Sequence, residues 1–177
     1  MKVITLNGQK LASAAFALLC CTVIMYVGFI NPHTVAVTAT VQPTVPIALV
    51  VEGFGTGQNG TREFLYMDIA FSGIVDNTAP LAQEDKELLI SGGREVFLNY
   101  SELGFAPIRI DGMQSVAAIE QNLRDAIEMA EKTGYAVVIA QLGEGGGIYT
   151  AKAIANVISD TSNINFVTIS RLKEVIS

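Results

Sequence analysis

Between Lys10 and Glu52 the chain carries no Lys, Arg, Asp or Glu, and the first twenty residues of that gap, LASAAFALLCCTVIMYVGFI at 11–30, are predominantly apolar. At 1.5 Å rise per residue this stretch makes about 30 Å of helix, the thickness of a bilayer's hydrocarbon core. Lys2 and Lys10 precede it, and no further basic residue occurs before Arg62. The bias of positive charge toward the cytoplasmic side therefore predicts one membrane crossing with the N-terminus inside and the rest of the chain outside. Tyr26 falls near the outer end, and Asn31-Pro32 stops the helix because Pro lacks an N–H and restricts its predecessor. A cleaved signal peptide is the competing reading, with Val37-Thr38-Ala39 as its cleavage site. A lipoprotein signal would need a small residue before Cys20, where Leu19 stands. Small residues crowd the first half of the span, and Ala14 and Ala17 are the candidates for close packing against another membrane helix.

Beyond the span the composition becomes that of a globular domain. Residues 31–177 hold nine basic and seventeen acidic side chains. Nucleic-acid binding needs clustered Lys and Arg, and none is present. The acidic balance also disfavours docking on anionic lipid, leaving proteins, including a second copy of the chain, as the expected partners. Both cysteines, Cys20 and Cys21, lie inside the apolar run, so the exported part relies on its core rather than on disulfides, and thiolate metal sites are not expected there.

The organisation read from the residues is a stub at 1–10, the span at 11–30, an extended Pro-punctuated linker at 31–63, and an α/β domain at 64–177. Leu65, Met67, Ile69 and Phe71 alternate with more polar neighbours, the period of a half-buried strand. VFLN and APIRI read as short strands. Asp111 with Gln114 has capping-box spacing ahead of a helix burying Val116, Ile119, Leu123, Ile127 and Ala130, with Gly134 as its left-handed end. YAVVIAQ reads as a strand. A second helix over 148–159 presents Tyr149, Ala153, Ile154, Val157 and Ile158, and INFVTIS over 164–170 reads as a final strand. The expected fold class is thus α/β in two layers, β-β-α-β-α-β, with two helices packed on one face of a small sheet.

Few motifs carry chemistry. GEGGG at 143–147 joins a strand to a helix and reads as a tight turn needing positive φ, since Glu144 would repel a phosphate. His33 is the only histidine, so neither a histidine metal site nor a Ser-His-Asp triad can be assembled. Glu84, Asp85 and Glu87 read as a solvated acidic run, and Asn59 and Asn99 open glycosylation sequons relevant only to a eukaryotic secretory pathway. No catalytic, cofactor-binding or metal-binding residue is assigned, and no cofactor is expected.

Two blocks resemble a known family. ITLNGQKLASAAFALLCCTVIMYV, and the succession of VFLN, helix, YAVVIA, helix and FVTIS, are similar to the ExbD/TolR family, the single-span subunits of proton-driven inner-membrane motors. The resemblance implies a bacterial inner-membrane protein with a periplasmic domain, working by self-association and contact with protein partners rather than as an enzyme. The family's proton-binding Asp has Ser13 in its place here, so the resemblance implies a component or accessory of a transport complex that does not itself carry the proton. A bitopic component of a conjugation or secretion apparatus would share the same layout. The run VVIAQLGEGGGIYTAKAIANVI also resembles the strand, Gly-rich loop and helix of ClpP-like and signal-peptide-peptidase-like serine hydrolases, but their nucleophile position falls beyond Ser177.

Overall fold

The structure is a computed structural model that describes residues 44–112 and 115–177. The expected span at 11–30, with Ser13, Ala14 and Ala17, lies outside the described residues, as do Cys20, Cys21, His33 and Gln114. Among the described residues no helix is long and apolar enough to cross a membrane.

VPIALVVEGF forms strand β1 (Val45–Phe54), buried without interruption from Ile47 to Val51. A strand covered on both faces reads as a continuous aliphatic run instead of an alternation, and that is its position here. On one side it pairs with β5 (Ala136–Gln141), from Ile47 opposite Ala136 to Glu52 opposite Gln141. On the other side two short strands share its length. β6 (Ile164–Val167) takes the first half and β2 (Ser72–Val75) the second. β3 (Glu95–Phe97) extends the sheet beyond β2, and β4 (Ile108–Arg109) extends it beyond β5. The order is β3-β2-β1-β5-β4 with β6 also on β1, and every pairing is parallel.

Ile47, Leu49 and Val51 of β1 and Ala136, Val138 and Ala140 of β5 face the larger core. It is closed by α1 (Thr61–Leu65), α2 (Ala82–Ser91), α3 (Val116–Thr133) and α4 (Ile148–Asp160). The alternate residues Ala48, Val50, Val137 and Ile139 face a smaller core, covered by Leu103 after the 3-10 turn Tyr100–Glu102 and by Ile169 and Leu172 of α5 (Ile169–Ile176). The fold is therefore α/β with a parallel sheet. The expected pair of helices on one face is present as α3 and α4, joined there by α1 and α2. A thinner layer covers the opposite face, so the two-layer expectation is corrected to helices on both sides.

The expected linker at 31–63 and domain start at 64 also move, because residues 45–63 are part of the fold and the compact unit is Val41–Ser177. Pro46 is accommodated in β1 by its register. Val45 donates its N–H to the Asn163 carbonyl at 3.0 Å, on the β6 side. The next N position then faces β5, whose pairing starts only at Ile47.

Residues 65–71 are not a strand. Gly60, at φ 95°, starts α1, and the chain beyond Tyr66 runs irregularly to β2. The Met67 carbonyl accepts from the Arg94 guanidinium at 2.6 Å rather than from a neighbouring strand. Leu65, Met67 and Ile69 still pack partly buried on the core, so the apolar period was real without a ladder. Helix α3 is capped by Ser115, whose hydroxyl accepts from the Ala118 N–H at 3.3 Å, and not by Asp111. It buries Ala126 beside the expected Ile119, Leu123, Ile127 and Ala130, while Val116 is only half-buried. Gly134 ends it at φ 91° as expected. The last strand stops at Val167, where Thr168 caps α5.

Candidate functional site

The carboxyl ends of β1, β4 and β5 each close on a polar residue immediately after an apolar run: Glu52, Arg109 with Asp111, and Gln141. In open parallel sheets this edge is where loops gather and ligands bind, because the strands fix the geometry while the loops vary. Arg109 is the hub. Its guanidinium donates to the Glu52 carboxylate, to Gln141 Oε1 at 3.1 Å and to Tyr100 Oη at 3.3 Å, and lies 3.5 Å from Asp111 Oδ1. The side chains of three strands and the 3-10 turn are thereby held in one array.

Asp111 is the buried member of the array, 4% exposed. Its Oδ2 accepts from the Gln141 backbone N–H and from the Thr150 hydroxyl, both at 2.8 Å. Burial pushes its carboxyl above the usual Asp range, and the hydrogen bonds from Gln141 and Thr150 hold the rise back. The expected helix-capping role is replaced by that of a strut joining β4, β5 and α4.

Two glycine-rich loops interlock above the array. Gly60 and Gly147 meet back to back, so that a Cβ on Gly60 would lie 2.4 Å from the Gly147 Cα. The Gly143 N–H donates to the Asn59 carbonyl at 2.9 Å and the Gly147 N–H to the Gln141 carbonyl at 2.8 Å. The tight turn expected for GEGGG is present, with φ of 86°, 82° and 59° at Gly143, Gly145 and Gly147. Between the loops and the strand ends lies a cleft of about 600 Å³ whose walls include Glu52, Thr56, Gln58, Gln141 and Glu144. A second cleft of about 710 Å³ also has Gln58 and Glu144 in its wall and is bounded further by Asn59, Ile148 and Tyr149.

Of the other residues singled out in the sequence, Asn59 and Tyr149 line the second cleft, while Asp85 and Asn99 have structural partners. Asp85, expected in a solvated run with Glu84 and Glu87, is instead buried and accepts the Gly55 N–H at 2.6 Å, pinning α2 to the loop after β1. Asn99 caps the 3-10 turn, accepting from the Ser101 N–H at 3.0 Å. Tyr149, expected on the inner face of α4, is 61% exposed, and Thr150 takes the inward position. Among the described residues no group of three His, Cys, Asp or Glu side chains is placed to hold a metal ion.

Sequence reasoning passed over Glu52, Arg109, Asp111 and Gln141 as site residues. The available signal was positional: each stands at or just past the end of an aliphatic strand run.

Fold and edge together define a parallel α/β domain with a polar cleft at the carboxyl ends of its strands. No protein-family model matches the chain, and no curated protein matches it.

Proposed function

We propose that the chain is a membrane-anchored binding protein. A single crossing at 11–30 holds the α/β domain outside the bilayer, and the carboxyl-edge cleft receives a ligand without transforming it. The observation that carries this reading is the Arg109 array. Glu52 and Gln141, which line the cleft, are tied to one guanidinium, and buried Asp111 holds the Gln141 backbone N–H, giving a pre-organised polar wall. The same ties speak for binding over turnover, because Glu52 and Asp111 already answer a cation or hydrogen-bond donors. The resemblance to the ExbD/TolR family supports an inner-membrane setting with a periplasmic domain, and work as an accessory within a larger membrane complex. Ser13, in place of an intramembrane Asp, supports a role other than proton transfer.

The test uses full-length protein in native membranes. Carbonate washing should leave it in the pellet, and externally added protease should reach the domain. A photo-crosslinking residue placed at Thr56 on the cleft rim should capture a discrete ligand, and the same residue at Asn156 on α4 should not. Replacing Arg109 with Met should abolish the rim capture. Release by carbonate defeats the anchor, and equal capture at both positions defeats the cleft.

A further inference from the structure

We propose that the cleft takes an extended segment of a partner protein, one carrying a basic side chain and an apolar side chain two residues apart. The proposal rests on the binding role assigned to this edge above and names its occupant.

The two clefts have Gln58 and Glu144 as common wall residues and so adjoin. Their chemistry differs. The first is lined by two carboxylates, Glu52 and Glu144, and by no cation. Arg109 reaches Glu52 through Oε1. Among the described residues, Glu52 Oε2 and the exposed Glu144 carboxylate accept no hydrogen bond, so both remain available to a cation. The second cleft presents Ile148 and Tyr149, 43% and 61% exposed, over a glycine-rich floor. A long basic side chain fits the first compartment and an aliphatic one fits the second.

An extended chain suits this pairing. Residues i and i+2 of a strand point the same way, about 7 Å apart, so one peptide face can fill adjoining compartments. The side-chain amides of Gln58, at the boundary, and of Asn59, in the second cleft, supply donors and acceptors for the peptide's main chain. The field of the whole domain agrees, since nine basic side chains stand against seventeen acidic ones and draw positively charged segments toward it.

The probe is a fluorescein-labelled peptide, Gly-Ser-Lys-Ser-Leu-Ser-Gly, titrated by anisotropy into the full-length protein in detergent. Two control peptides carry Glu for Lys, or Lys and Leu adjacent. The first peptide should bind, more weakly as salt rises, and both controls should fail. Glu144→Gln and Tyr149→Ala alter exposed side chains, and each should weaken binding about tenfold with unchanged thermal midpoints. Equal binding of the Glu peptide, or no effect of either substitution, overturns the proposal. If no peptide binds but capture at Thr56 persists, the occupant is a different molecule, such as a small organic cation or a polyol. The peptide proposal then falls while the cleft reading stands. Loss of both removes the two together.

Discussion

Replacing Gly60 with alanine tests whether the two glycine loops really meet. The new methyl would lie 2.4 Å and 2.6 Å from Gly147 Cα and C and 2.9 Å from the Ile148 nitrogen, all of them backbone atoms that cannot swing aside. Gly60 also sits at φ 95°, where a side chain costs about 1–2 kcal/mol. Gly134 provides the matched control, at φ 91° with nothing within 4 Å of its added Cβ. Gly134→Ala therefore carries the backbone cost alone, whereas Gly60→Ala adds the cost of overpacking, about 1–3 kcal/mol. At about 3–5 °C per kcal/mol for a domain of this size, Gly60→Ala should melt roughly 3–15 °C below Gly134→Ala. Thermal unfolding of the full-length chain, followed by near-ultraviolet circular dichroism, reads this directly, because Tyr66, Tyr100, Tyr135 and Tyr149 all lie in the domain. Equal melting temperatures for the two variants would refute the loop contact and, with it, the architecture of the cleft.

Two further predictions probe the strut and the core. Burial raises the Asp111 carboxyl, so its protonated form is favoured by folding. Its contribution is full below the unfolded-state value, about 3.9, and is lost as pH rises through the higher folded value. The stability advantage of the wild type over Asp111→Asn should therefore shrink from about pH 4 upward in urea titrations at stepped pH. An advantage that is constant or grows contradicts the burial. Leu49→Ala empties a fully buried position at the centre of the sheet and should cost about 2–5 kcal/mol, lowering the urea midpoint without a change in slope.

The parts of the fold legible in the sequence are those with local signatures. Helix α3 announced itself by apolar residues at three- and four-residue spacing and by Gly134 at its end. β5 and α4 did so by an unbroken aliphatic run, a glycine turn and a second amphipathic stretch. β1 was hidden because its aliphatic run lies between Pro43, Pro46 and the GFGTG segment, which read locally as a linker. Only the register with β6 and β5 shows why a proline is tolerated there. Asp111 was misread for a related reason: its spacing to Gln114 satisfied a local capping rule, while its actual partners, Gln141 and Thr150, are distant in sequence. The site as a whole was illegible because Glu52, Arg109 and Gln141 become neighbours only through the lateral order of the strands.

That lateral order also governs how the protein comes into being. β1 is the first of the domain's strands to be synthesised and β6 is the last, yet the two lie side by side at the middle of the sheet. Contacts between remote parts of a chain form slowly, and apolar strands awaiting their neighbours invite aggregation. The Val45–Ala48 half of β1 therefore completes its pairing only once β6 is available. Closing the sheet around the first half of β1 is consequently a long-range and late step of folding.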